Sequence, residues 1–227
     1  VTTPHGTRTH TNMIFPFSSI NELCNNGWTV FDSPSHEDTK ASLCALPGPV
    51  IMTTRVAPKV DAKAALATDR EMELHTDHPR ARWIAWHCVR QSSEGGVSLL
   101  KDARAALRTL DPAIQLALRE TTMGSHQVFP GDQERYPVVR SAGTNKNWIY
   151  YTPWLCRAGA DPVLDAFTEA LGKAETIEVR LRPGQALVIN NSRMLHGRSS
   201  IGGDRDRLLI RYWIAEGSDN FSPERGW

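Results

Sequence analysis

Short apolar runs broken by glycine, proline and aspartate dominate this chain. Segments 50–56, 71–77, 82–89, 148–151, 176–181, 186–189 and 207–215 read as strands from their β-branched and aromatic content. Helical spacing is confined to a few places. Ala103, Ala106, Leu107 and Leu110 recur at helical intervals within 102–110. Asp111-Pro112 then supplies an N-cap with proline at the first helical position, followed by Ile114, Leu116 and Leu118. Asp161-Pro162 repeats that start signal ahead of Val163, Leu164, Phe167, Ala170 and Leu171, and Gly172 reads as the stop. Segments 124–143 and 197–206 read as loops. Many short strands with few helices predict a mainly β fold, a sandwich or distorted barrel with helices packed outside it. No repeat or linker interrupts the pattern, and 227 residues suit a single domain over 1–227.

The run Arg207-Leu-Leu-Ile-Arg211-Tyr-Trp-Ile raises a question of burial. With a period of two, Arg207, Leu209, Arg211 and Trp213 share one face, and Leu208, Ile210, Tyr212 and Ile214 share the other. Two guanidiniums beside Leu and Trp are costly to bury unless they meet anions. Arginine's planar fork suits a carboxylate, which it binds through two parallel hydrogen bonds. Arg211 lies roughly 13 Å beyond Arg207 along an extended strand, too far for both to clamp one carboxylate.

Upstream of that strand are Glu73-Leu74-His75-Thr76-Asp77 and Met194-Leu195-His196-Gly197-Arg198. In an extended segment His75 and Asp77 point the same way, and a distant His196 completes the composition of a 2-His-1-carboxylate triad. Such a triad holds non-haem Fe(II) and leaves positions open for co-substrates. Each fragment alone has an ordinary reading: a surface His, a turn Asp, a loop His, a helix-capping Ser98, solubilising arginines. Their joint order favours the metal. Glu73 shares the expected face of His75 and Asp77, where it reaches either a substrate or a cross-strand cation. His5, His10, His36, His78, His87 and His126 have no spacing that recommends them.

In combination these motifs resemble the taurine dioxygenase / clavaminate synthase-like family of Fe(II)- and 2-oxoglutarate-dependent oxygenases. There, H-x-D/E precedes a distal His and then an Arg ten to fifteen residues later, positions filled here by His75, Asp77, His196 and Arg207. Gly95-Gly96-Val97-Ser98 resembles the family's Gly-Gly-x-Thr/Ser segment, and the stretch from Arg182 to Arg193 resembles the approach to the distal His. Gln185 and Asn190 replace residues that are usually Asp. The resemblance covers about 71–214 and implies a double-stranded β-helix (jelly roll) with the metal between its sheets. It implies Fe(II) on His75, Asp77 and His196, with 2-oxoglutarate and dioxygen as co-substrates. Arg207 and Ser98 would hold the far carboxylate of 2-oxoglutarate, and Arg211 an acidic group of the substrate. The activity implied is oxidation, by default hydroxylation, of an unactivated C–H bond in a small molecule or peptide, with succinate and CO2 released. An amino acid or an amino-acid-derived natural-product intermediate fits best. Desaturation or ring closure on the same scaffold, and a jelly-roll metalloprotein that dispenses with 2-oxoglutarate, stay open. Halogenases give the carboxylate position to Gly or Ala, and Asp77 argues against that chemistry.

Composition narrows the partners. The net charge of +1 comes without a basic stripe, so neither nucleic acid nor an anionic membrane is an expected partner. No apolar run approaches the length of a bilayer span, and the opening Val-Thr-Thr-Pro-His-Gly is unlike a signal peptide. Cys24, Cys44, Cys88 and Cys156 are scattered, without C-x-x-C, and read as reduced thiols of a cytoplasmic protein. Oligomeric state is not legible.

Overall fold

The computed structural model describes residues 16–59, 68–125, 128–129, 131–141, 147–156, 159 and 161–217. In chain order the elements begin with α1 (Phe17–Asn26), β1 (Trp28–Asp32), α2 (His36–Leu43), β2 (Val50–Val56), β3 (Met72–His75) and β4 (Trp83–Arg90). Then come β5 (Glu94–Gly95), β6 (Ser98–Asp102), α3 (Ala103–Arg108), α4 (Pro112–Glu120), β7 (Thr122–Gly124), β8 (Arg135–Pro137), β9 (Val139–Ser141) and β10 (Asn147–Ile149). A 3-10 turn, Pro153–Leu155, precedes α5 (Pro162–Lys173). The chain continues through β11 (Ile177–Val179), β12 (Gln185–Asn190), β13 (Met194–Arg198), β14 (Ile201–Gly202) and β15 (Leu208–Ile214).

Two antiparallel sheets dominate, ordered β1-β12-β4-β15-β2 and β11-β6-β13-β3. Neighbours are mostly far apart in sequence, as the jelly roll requires. Side-chain alternation explains how the sheets stack. Along β15, Leu209 and Trp213 enter a core with Ile84, Trp86, Leu187 and Ile189 of the same sheet and Leu100, Val179 and Met194 of the other. Ile210, Tyr212 and Ile214 point outward onto Leu23 of α1 and Leu43 of α2. Outside the smaller sheet, α3, α4, α5 and the strands β7 to β10 bury Leu107, Leu118, Phe167 and Tyr150 around Leu195. The result is a helix–sheet–sheet–helix stack with apolar layers on both sides of each sheet.

Both Asp-Pro starts form the expected helices. Asp111 and Asp161 accept hydrogen bonds from the first-turn N–H groups of α4 and α5. The buried Lys101 ammonium donates to the carbonyls of Leu171 and Gly172, closing the end of α5. Gly172 lies inside that helix and is not its stop. Helices α1 and α2 had no clear signal. In α2 only Leu43 is a buried hydrophobic residue, so no apolar stripe exists to read, although Ser35 caps it by accepting from the Asp38 N–H. Segment 197–206 is not one loop: Gly197 and Arg198 belong to β13, and Ile201-Gly202 pairs with Gly95-Glu94. Segment 124–143 likewise contains β8 and β9. Among the described residues no helix is long and apolar enough to cross a membrane, and the four cysteines are free.

One irregularity in the smaller sheet shapes the site. His196 pairs with His75, but Arg198 pairs with Met72. Strand β13 therefore advances two residues while β3 advances three, which is a β-bulge at Glu73-Leu74. Gly197 permits it: a Cβ there would lie 2.6 Å from the Met72 carbonyl oxygen.

Candidate metal centre and its cavity

His75 ends β3, His196 lies across from it on β13, and Asp77 follows two residues beyond His75. All three are buried, and one ligand atom from each lies within 4.8 Å of the others. His75 Nε2 is 3.7 Å from Asp77 Oδ1, and His196 Nε2 is 3.6 Å from Asp77 Oδ2. The bulge turns the Glu73 carbonyl toward His75, whose Nδ1 lies 2.8 Å away. A carbonyl only accepts, so Nδ1 carries the proton and Nε2 keeps its lone pair toward the cluster. Trp154 and Trp86 pack on the two imidazoles, with ring centroids at 4.7 and 5.0 Å.

Asp77 is fixed through backbone and side chain. Its N–H donates to Asn191 Oδ1 at 2.8 Å, and the Asn191 amide donates back to the carbonyls of Asp77 and Ala81. Burial works against its ionised form, but the Arg211 guanidinium beside it outweighs that cost. The carboxyl is thereby held well below the usual carboxylate range and is an anion at neutral pH. One residue on, buried His78 bonds Asp132 at 2.6 Å, tying the loop before β8 to the triad segment. His5, His10 and His126 lie outside the described residues.

A cavity opens beside the imidazoles, walled by Trp86, Leu100 and Leu209 and edged by Ser98, Arg198, Arg207 and Arg211. Arg207 is the distinctive group. It is 5 % exposed, its Nε has no hydrogen-bond partner, and no carboxylate among the described residues pairs with it. Burial, and then the neighbouring Arg198 charge, push its pKa down to about 10. It stays cationic at neutral pH, so a buried charge awaits an anion. Gly96 makes room for it: at φ +65° a Cβ would lie 3.0 Å from Arg207 Cδ. Arg180 holds that turn by donating to the carbonyls of Ser92, Ser93 and Gly95. Arg205, by contrast, is exposed and pairs with Asp69.

Two expected residues are placed differently. Glu73 is not brought into the cavity. The bulge puts Met72 and His75 on the cavity side and leaves Glu73 exposed, on the outer side with Leu74, Lys101 and Tyr151. Strict alternation from His75 put it on the inner face, and one extra residue in β3 cancels that alternation. Arg211 does edge the cavity, and its Nη1 lies 3.1 Å from Asp77 Oδ2. Two residues at the site have no role assigned from sequence, Asn191 and Arg198. For Arg198 the signal existed, because it sits two residues after His196 on the same strand face.

These donors suit the ion. Two imidazoles and one carboxylate form a set that Fe(II) accepts while retaining open positions. The unpaired Arg207 cation, together with the Ser98 hydroxyl, suits the far carboxylate of a short dicarboxylate such as 2-oxoglutarate. Residues 45–213 match the taurine catabolism dioxygenase TauD, TfdA family. The chain belongs to that family. It is a non-haem Fe(II)- and 2-oxoglutarate-dependent dioxygenase. No curated protein sequence matches it. Among solved structures, it is similar to an asparagine oxygenase in complex with Fe(II), 3-hydroxyasparagine and succinate. That match has 13 % identity and a TM-score of 0.68, covering 88 % of this chain and 78 % of the other. It is also similar to the non-haem iron oxygenase OrfP with Fe and alpha-ketoglutaric acid (15 %, TM-score 0.69, 86 % and 78 % covered). The PvcB protein from Pseudomonas aeruginosa aligns at 18 % identity and TM-score 0.62, with 88 % and 80 % covered. At these identities the likeness is one of fold.

Proposed function

We propose that this dioxygenase hydroxylates an unactivated C–H bond of an amino acid or an amino-acid-derived intermediate, with His75, Asp77 and His196 as the Fe(II) ligands. Arg207 and Ser98 hold the far carboxylate of 2-oxoglutarate. The carrying observation is the convergence of three ligand atoms at a cavity whose buried Arg207 has no anion of its own. With Fe(II) bound, the chemistry supplied is oxidative decarboxylation: one dioxygen atom enters succinate as CO2 leaves, and the other is inserted into the substrate C–H bond.

The chain's own groups bind, orient and exclude. Arg207 neutralises a carboxylate through a planar fork that fixes its direction as well as its charge. Ser98, on the neighbouring edge of β6, adds a hydroxyl donor. The Glu73 carbonyl accepts from His75 Nδ1 and so leaves Nε2 as the nitrogen turned to the metal. Trp86, Leu100 and Leu209 line the cavity with apolar surface, which keeps water from competing at the reacting centre. The amino-acid assignment is supported by fold neighbours in complex with 3-hydroxyasparagine and with (3S)-hydroxy-L-arginine.

The test is a panel of free and N-acylated amino acids offered to anaerobically Fe(II)-loaded protein, then oxygenated. Succinate release and a product heavier by one oxygen atom should coincide for one side-chain class. Asp77→Ala should abolish both. Succinate formation that no amino-acid substrate stimulates would remove the substrate assignment, and full activity in Asp77→Ala would remove the triad.

A further inference from the structure

The two carboxylate oxygens of Asp77 have unequal surroundings. Oδ2 receives the Arg211 Nη1 donor at 3.1 Å and the Trp213 indole N–H at 2.9 Å. Oδ1 lies 3.7 Å from His75 Nε2 and Oδ2 3.6 Å from His196 Nε2, both beyond hydrogen-bond reach, so the donor pair on Oδ2 is what sets the two oxygens apart. Both donors are nearly sealed from solvent, Trp213 at 1 % and Arg211 at 9 % exposure. They sit two residues apart on β15, so strand alternation puts them on one face, the same face that carries Arg207 toward the other end of the cavity. The Arg211 guanidinium also lies over the Trp213 ring, 5.0 Å from its centroid, which restrains both donors together.

We infer that Arg211 and Trp213 act as a two-donor clamp on Asp77 Oδ2, leaving Oδ1 as the single oxygen offered to the metal. A carboxylate oxygen has two lone pairs, and two N–H groups converge on Oδ2. A carboxylate free to chelate with both oxygens would take a coordination position that 2-oxoglutarate or dioxygen needs. The clamp prevents that and orients the ligand before the metal arrives, which is how outer hydrogen bonds tune metal sites. Arg211 is thus a positioning residue acting through Asp77, not the receptor for a substrate anion. The inference rests on the triad reading above and adds to it the role of the β15 face.

Trp213→Phe keeps a ring of similar shape and deletes one donor; Arg211→Lys keeps charge and loses the planar fork. Fe(II) affinity of the metal-free protein, measured anaerobically against a chromophoric chelator, should weaken on the order of 10- to 100-fold in each. The visible absorption band of the anaerobic Fe(II)–2-oxoglutarate chelate should shift or lose intensity, a change that a purely structural role in the core would not produce. Asp77→Ala is measured in parallel. If it destroys Fe(II) binding while both β15 variants bind within twofold of wild type and keep the band, the clamp is overturned and the triad stands. If Asp77→Ala itself binds Fe(II) normally, the triad reading has failed instead. Should Trp213→Phe not fold, Arg211→Lys decides alone: a raised substrate KM with unchanged Fe(II) affinity and band would assign Arg211 to the substrate and overturn the clamp.

Discussion

Replacing Arg207 by alanine isolates the co-substrate anchor from the metal. Its guanidinium is buried and has no carboxylate partner among the described residues, so a bound carboxylate would supply the pairing it lacks. Removing one member of a buried, hydrogen-bonded charge pair costs about 2–5 kcal/mol. At 1.4 kcal/mol per decade, Arg207→Ala should weaken 2-oxoglutarate binding by about 30- to 4,000-fold. The fold should respond in the opposite sense, because an unpaired buried charge disappears, and the ligand-free melting temperature should hold close to wild type. At a 2-oxoglutarate concentration one hundred times the wild-type Kd, binding stabilises the fold by about 2.7 kcal/mol. A thirtyfold weaker Kd reduces this to about 0.9 kcal/mol. For a chain of this size those energies correspond to thermal shifts of about 5–11 °C and about 2–3 °C. Differential scanning calorimetry of anaerobic Mn(II)-loaded protein, with and without 2-oxoglutarate, reads both quantities, and titration calorimetry gives the Kd directly. A Kd within threefold of wild type, with the full thermal shift, would refute the assignment and turn attention to Arg198.

Other consequences are more local. Gly96→Ala combines a φ of +65° with a Cβ 3.0 Å from Arg207 Cδ, and should raise the Kd for 2-oxoglutarate about tenfold without altering Fe(II) content; an unchanged Kd would mean that Arg207 does not need that space. Glu73→Ala, on the outer side of the bulge, should leave kcat and KM within twofold and stability within about 0.5 kcal/mol, whereas a tenfold rise in substrate KM would restore Glu73 to the site. Burial pushes the Cys88 thiol up to about 11 despite nearby Arg207 and Arg180. Since a raised thiol pKa means less thiolate at any lower pH, only about one molecule in a thousand carries it at pH 8. Iodoacetamide at pH 8 should therefore modify exposed Cys24 and Cys44 and spare Cys88 in the native protein, as peptide mass mapping would show.

The proposed chemistry and several local structures are legible in residue order alone. His75 and Asp77 at strand spacing, a distal His196, and Arg207 eleven residues later stand in the sequence as the proposed donor set and anchor. Period two along 207–214 separated the inward face from the outward one, and the two faces enter different cores. Asp-Pro marked α4 and α5, because an N-cap carboxylate and a proline in the first turn act within four residues of each other. Tertiary structure decided what depends on register between distant strands. The bulge in β3 arises from how β3 meets β13, more than one hundred residues away, and it alone moves Glu73 out of the cavity and brings its carbonyl to His75. The Asp77 environment has the same origin: Arg211 and Trp213 belong to the larger sheet, whereas Asp77 lies two residues past the end of β3 in the smaller one. Only the stacking of the two sheets brings two donors to one oxygen. Periodicity assigns a side chain to a face, whereas its partner across the core is fixed by the packing of both sheets.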